Sequence, residues 1–142
     1  MIYESHSENE TYNIGLELGR KAKPGQVFCL NGDLGVGKTV FTKGFAKGLG
    51  IDEVISSPTF TIVCEYQSET MPFYHFDVYR IGHPDEMYEI GFEEYLYGGG
   101  VCLIEWASLI EDILPDNIIS ITIEKDLSKD LDYRKITLDG ER

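Results

Sequence analysis

A lysine and a threonine close a glycine-rich stretch in the first third of the chain. The stretch reads GDLGVGKT from Gly32 to Thr39 and fits the pattern G-x-x-x-x-G-K-T. Glycine allows positive φ angles and a close approach of backbone N–H groups to a phosphate, both of which a Cβ would hinder. Lys38 adds a positive charge for the β and γ phosphates, and the Thr39 hydroxyl can join the ligands of a Mg²⁺ ion. The pattern therefore indicates a site for a nucleoside triphosphate with Mg²⁺.

This motif is informative only between a strand and a helix, and both flanks fit. QVFCLN, just before it, is a continuous apolar run typical of a strand covered on both faces. After Thr39, three apolar residues lie on one helical face, and Gly50 follows as a C-terminal cap. The predicted phosphate contacts all come from this loop: Asp33, Leu34, Gly35, Val36, Gly37, Lys38 and Thr39.

A triphosphate loop also needs an acid at the end of a neighbouring strand, and two residues are candidates. Glu105 ends VCLIE, where four apolar residues deliver one acid in the usual Walker B arrangement. Asp77 lies near the end of FYHFDVYR, although a surface carboxylate explains its spacing equally well. From the residues alone, His75 is interpreted as a structural histidine and Trp106 as a core residue.

The other patterns place these residues on an α/β framework. Ser7 and Glu10 have capping-box spacing and predict the start of a first helix. Further along, the chain predicts an antiparallel strand pair, a helix, a buried strand, a short helix and a closing hairpin, at 57–66 with 73–80, 84–97, 101–106, 107–115 and 118–138. This order predicts three layers with a mixed, partly antiparallel central sheet, the P-loop NTPase fold, in a single domain over residues 1–142.

Composition limits the other classes of function. The chain has 12 basic and 25 acidic residues, a formal net charge of −13, which disfavours a direct grip on nucleic acid. Three cysteines without a C-x-x-C pair predict buried thiols and a reducing compartment. No apolar run is long enough to cross a bilayer, and the polar, acidic start is unlike a targeting peptide, so we expect a cytoplasmic protein with no membrane partner.

Five segments together resemble the TsaE (YjeE) ATPases of bacterial tRNA threonylcarbamoyladenosine synthesis. They occur in that family's order and approximate spacing, from the first helix to Trp106: GDLGVGKT, SPTFTIV, YHFDVYR, EIGFEEYL and LIEW. The resemblance implies a cytoplasmic P-loop ATPase that uses ATP and Mg²⁺. It also implies action with the TsaB and TsaD proteins, so that tRNA is reached indirectly, through their complex.

The resemblance also implies roles for individual residues. Lys38 is similar to the phosphate lysine, Thr39 and Glu105 to the pair that holds the metal, and Asp77 to the acid required for hydrolysis. The remaining implied nucleotide contacts are a residue near the base, a γ-phosphate sensor with its neighbour, and an aromatic residue of the site: Thr11, Thr61 with Thr59, and Trp106.

Other uses of the same loop remain open at this point. A small-molecule kinase would need a lid with arginines over the transferred phosphate, and the four arginines of the chain form no such cluster in the sequence. A GTPase-like switch is disfavoured because no N-K-x-D stretch for guanine is present. A module that binds nucleotide without hydrolysing it is also consistent with the residues.

Overall fold

The structure, a computed structural model, describes residues 1–33, 35–56, 58 and 62–140. Strands β1 to β7 are Ile2–Ser5, Val27–Asn31, Val63–Gln67, Pro72–Asp77, Val101–Glu105, Ile118–Glu124 and Arg134–Gly140. Helices α1 to α4 are Glu8–Lys21, Lys38–Gly48, Glu86–Glu89 and Phe92–Leu96, and a 3₁₀ helix covers Ala107–Ile113. No helix of the described part is long and apolar enough to cross a membrane.

All seven strands form one mixed sheet in the order β1-β7-β6-β2-β5-β4-β3. The four central strands, β6, β2, β5 and β4, run parallel to one another. Antiparallel strands complete both edges, β3 beside β4 and β7 with β1 beyond β6. The predicted mixed sheet is therefore confirmed, with its two predicted hairpins at opposite edges.

A helical layer covers each face of the sheet, as predicted. Helices α1 and α2 pack on one face, where Phe45 contacts both Phe28 and Phe73 with ring centroids 5.0 and 5.8 Å apart. The short helices cover the other face, where Phe92 of α4 meets Phe76 edge-on at 5.4 Å. Apolar side chains on both faces explain why the two innermost strands, β2 and β5, are nearly continuous apolar runs.

Helices α1 and α2 cross at backbone contact because four glycines line the crossing. A Cβ built on any of them would overlap a carbonyl oxygen of the opposite helix; these are Gly15, Gly19, Gly44 and Gly48. Side chains at these positions would hold the helix axes apart, since ordinary helix pairs are separated by 8–10 Å. The close crossing fixes the start of α1 next to the loop that precedes α2.

Three details differ from the sequence prediction. The prediction missed β1, a four-residue edge strand paired with β7. The helix predicted over 84–97 is two short helices, separated at Gly91, whose φ is +75°. Strand β3 begins at Val63, and most of the earlier part of the predicted strand lies outside the described residues.

The prediction of buried thiols holds for two of the three cysteines. Cys29 and Cys102 are buried, Cys64 is half-buried, and all three are free. Burial raises the pKa of Cys29 to about 11 and that of Cys102 to about 12, because a thiolate would lose its hydration. Both thiols therefore stay protonated at neutral pH and serve as small apolar side chains.

Candidate functional site

The glycine-rich loop connects β2 to α2 at the carboxyl edge of the parallel strands. Gly35 and Gly37 have φ angles of +79° and +110°, the positive values that the sequence predicted for this loop. Gly37 is the residue that caps α2, and the Val36 N–H donates to the Asp33 carbonyl at 3.2 Å. The first N–H groups of α2 have no partner within the helix, so the loop presents donors at a positive helix end. Such an arrangement favours an anion.

Lys38 and Glu105 meet where the loop faces the end of β5. The Lys38 Nζ lies 3.8 Å from the Glu105 Oε1, and each side chain is 10 % exposed. The Nζ also lies 4.8 Å from the centre of the Trp106 ring, within range of a cation–π contact. Trp106 has a φ of +62°, the one positive value of a non-glycine residue among those the structure describes. The sequence-predicted lysine, acid and tryptophan thus come together.

His75 holds the other oxygen of the same carboxylate. Its Nε2 lies 2.8 Å from the Glu105 Oε2, and the imidazole is 2 % exposed. Toward a carboxylate oxygen Nε2 must donate, and the buried Nδ1 has no hydrogen-bond partner in the described part of the chain. The sequence interpretation of His75 as a structural histidine did not include this contact with the site.

Removing the His75 donor is expected to destabilise the protein. His75→Leu leaves a buried carboxylate oxygen without its hydrogen bond and should lower the free energy of unfolding by about 2 kcal/mol. His75→Gln is the matched control, because its amide Nε2 can reach the position of the imidazole Nε2 and should restore most of that loss. Urea unfolding of the three proteins measures the difference. Equal losses in both variants would show that ring packing, and not the hydrogen bond, is what matters.

Asp77 lies beside Glu105 at the same edge of the sheet. The two residues are partners in the parallel register of β4 and β5. The Asp77 Oδ1 accepts a hydrogen bond from the Tyr79 N–H at 3.0 Å, and its own N–H donates to the Ile62 carbonyl at 2.9 Å. Asp77 is the last residue of β4, and its half-buried side chain lies next to Glu105, the predicted metal ligand.

The residues present fit a Mg²⁺ ion that is held jointly with phosphate. Thr39 is exposed in the first turn of α2, and Glu105 ends the adjacent strand. Among the described residues, no three His, Cys, Asp or Glu side chains could hold a metal by themselves. Mg²⁺ characteristically takes one or two protein ligands and completes its shell with waters and substrate phosphates. A hydroxyl and a carboxylate beside an anion-binding loop match that pattern.

Thr11 brings the start of α1 to the loop. Its methyl carbon lies 4.0 Å from the position that a Cβ on Gly37 would occupy. The Ser5 hydroxyl donates to the Ser7 carbonyl at 2.9 Å and lies 2.7 Å from the Thr11 Oγ1, so Thr11 must be the donor of that pair. The Thr11 oxygen keeps its lone pairs and can only accept from a ligand.

The remaining predicted site residues either lie on the loop with different exposure or fall outside the described residues. Asp33 and Gly35 are exposed on the loop, whereas the Val36 side chain is 2 % exposed and packs into the core. Leu34, Thr59 and Thr61 lie outside the described residues.

Two residues of the site carried no recognised signal in the sequence. Tyr79 is exposed and packs against Trp106 with ring centroids 4.8 Å apart. Arg134, the first residue of β7, donates from its Nε to the Val36 carbonyl at 2.7 Å. This contact spans 98 positions of sequence, so no local pattern could indicate it.

The sequence matches a family model and is similar to several known proteins of one name. The family model described as "Threonylcarbamoyl adenosine biosynthesis protein TsaE" matches residues 5–136. A Bacillus subtilis protein named tRNA threonylcarbamoyladenosine biosynthesis protein TsaE is 56 % identical over 116 residues, which cover 82 % of this chain and 72 % of that protein. A Treponema pallidum protein of the same name is 42 % identical over 119 residues, 84 % of this chain and 87 % of the relative.

A solved structure shares the fold along the whole chain. The crystal structure of Bacillus subtilis YdiB superimposes with a TM-score of 0.85 at 43 % identity, covering 100 % of this chain and 86 % of that one. The mixed α/β architecture is therefore that of a known protein of related sequence.

Proposed function

The chain belongs to the TsaE family of tRNA threonylcarbamoyladenosine biosynthesis proteins, and from this membership we propose that it binds ATP with Mg²⁺ and hydrolyses the ATP slowly. The observation that carries the proposal is the distance of 3.8 Å between the Lys38 Nζ, at the start of α2, and the Glu105 Oε1, at the end of β5. It joins a phosphate-binding lysine to an acid on the neighbouring strand.

Each residue has a part in the proposed reaction. The loop N–H groups and the Lys38 ammonium bind the β and γ phosphates, so Lys38 exchanges part of its contact with Glu105 for a phosphate oxygen. Thr39 and Glu105 would hold Mg²⁺, and the ion would supply positive charge that offsets the charge of the phosphates. Asp77 orients the attacking water and accepts its proton from a position one strand away from Glu105.

We expect slow turnover by the isolated chain because two of its arginines already have partners among the described residues. Arg20 pairs with Glu17 on the exposed face of α1, and Arg134 bonds to loop carbonyls. We propose that the TsaB and TsaD proteins complete or stabilise the site, and that the chain acts in the cytoplasm. At a net charge of −13, contact with tRNA through these proteins is favoured over direct binding.

A nucleotide titration of the purified chain tests the first part of the proposal. Trp106 is the only tryptophan and sits beside Lys38, so its fluorescence should change when phosphates draw the ammonium away. ATP is titrated with and without Mg²⁺, and ADP and AMP are compared. MgATP should bind more tightly than AMP, and absence of binding at millimolar MgATP in equilibrium dialysis would refute the proposal.

A phosphate-release assay tests the second part. The chain is measured alone, with TsaB and TsaD, and with candidate sugars and acids. Stimulation by the two proteins is the expected result. A phosphorylated metabolite would instead identify a small-molecule kinase, the alternative use of the same loop. Release that stays unchanged with TsaB and TsaD would argue against the partner-dependent role.

A further inference from the structure

Arg134 ties the glycine-rich loop to the start of β7 through hydrogen bonds to backbone carbonyls. Its Nε donates to the Val36 carbonyl at 2.7 Å. Its Nη1 donates to the carbonyls of Leu131 and Tyr133 at 2.8 and 2.7 Å. The planar guanidinium presents its donors in a fixed fork, so these three bonds define where the Val36 carbonyl points.

The orientation of that carbonyl decides where an important N–H group points. The Val36 oxygen and the Gly37 hydrogen belong to one peptide unit, and the described chain has no cis peptide bond. In a trans peptide these two atoms point in opposite directions. With the carbonyl held by Arg134, the Gly37 N–H is directed to the opposite side of the loop from β7.

This peptide needs an external restraint because the residues around it provide little. Gly37 has a φ of +110° and no Cβ to limit rotation. Gly35, two positions earlier, is exposed and has no atom within 4 Å of a built Cβ. The buried Val36 side chain anchors the residue before this peptide, but it does not fix the plane of the Val36–Gly37 peptide itself.

We propose that Arg134 is a positioning residue that holds the glycine-rich loop in its anion-binding conformation. The inference deepens the proposed function, on which it rests, by assigning a residue outside every motif of the sequence. Arg134 acts through the Val36–Gly37 peptide, because its Nε donates to the Val36 carbonyl and its Nη1 to two further backbone carbonyls.

The test compares the wild type with Arg134→Met, Arg134→Lys and a matched control, Arg20→Met. Methionine keeps the unbranched stem and removes every donor, whereas lysine keeps the charge but cannot serve all three carbonyls with fork geometry. Arg20→Met makes the same chemical change on the exposed face of α1. Amide hydrogen exchange without nucleotide and Trp106 fluorescence with MgATP are the two measurements.

Both Arg134 variants should lose the loop conformation while keeping the fold. Exchange at the Val36 N–H, which donates to the Asp33 carbonyl within the loop, should accelerate about tenfold, with β2 and β5 unchanged as an internal reference. MgATP affinity should fall about tenfold in both variants and stay at the wild-type value in Arg20→Met. A lysine variant that binds like the wild type would assign the effect to charge and overturn the proposal.

The two proposals fail in distinguishable ways. If the wild type does not bind MgATP, the proposed function is wrong, and the exchange data still decide whether Arg134 holds the loop. Equal exchange at the Val36 N–H in all four proteins overturns the assignment of Arg134, whatever the nucleotide result. Faster exchange with unchanged MgATP affinity also overturns it, because the loop conformation would then not matter for binding.

Discussion

Replacing Lys38 with methionine is expected to lower the free energy of unfolding by about 3 kcal/mol and to weaken MgATP binding about a hundredfold or more. The loss of stability arises because the Glu105 carboxylate, 10 % exposed, would keep His75 as its one partner among the residues that the structure describes. Breaking a buried pair by removing one charge leaves the other unpaired. The loss of binding arises because no ammonium would remain to meet the phosphates.

A double-mutant cycle with Glu105→Gln separates these two effects. Glu105→Gln alone should also destabilise the protein, since Lys38 is then buried beside Trp106 without a counter-charge. The double variant removes both charges and should return to within about 1 kcal/mol of the wild type in urea unfolding. It should not recover MgATP affinity in the Trp106 titration. A double variant as unstable as the sum of its parents would contradict the ion pair as the source.

The sequence predicted those features of the site that are formed by consecutive residues. A buried strand, three glycines, a lysine and an amphipathic helix are consecutive, so their geometry follows from neighbouring residues. Glu105 could be matched to Lys38 because a continuous apolar run predicts a central strand, and parallel strands bring their carboxyl ends to one edge. The fold class follows from the same alternation of helices and strands.

The missed elements have weak local signals. Strand β1 has four residues and lies at the edge of the sheet, where only one face needs apolar side chains. Its inward residues are Tyr3 and Ser5, which do not stand out in an acidic, polar segment. The helix predicted over 84–97 has helical residues on both sides of Gly91, and only the observed φ of +75° shows the break.

The missed site contacts depend on tertiary structure. Arg134 reaches Val36 only because β7 returns beside β6, which itself pairs with β2. His75 reaches Glu105 because β4 and β5 are in a register that no single strand encodes. Neither contact has a sequence spacing that could be recognised in advance, because each depends on how distant strands pair in the folded sheet.

The glycine crossing of α1 and α2 leads to the second large expected effect. Gly44→Ala should lower the free energy of unfolding by about 3 kcal/mol, although alanine is the better helix former by about 1 kcal/mol. The new Cβ would overlap the Tyr12 carbonyl oxygen, and a backbone atom cannot turn aside as a side chain can. The helices must therefore separate, which opens the core around Phe41 and Phe45, both 0 % exposed.

Lys47→Ala is the control for this substitution, since Lys47 is exposed on the same helix and its change should stay within about 0.5 kcal/mol.

Gly44→Ala should also weaken nucleotide binding, because α1 carries Thr11 to within 4.0 Å of the Cβ position of Gly37. At a temperature where Gly44→Ala is still folded, MgATP should bind about tenfold more weakly, since displacement of a positioning element by about 1 Å is costly. An alanine variant as stable as the wild type would mean that the helices can move apart freely, and the close crossing would then not be what fixes the loop.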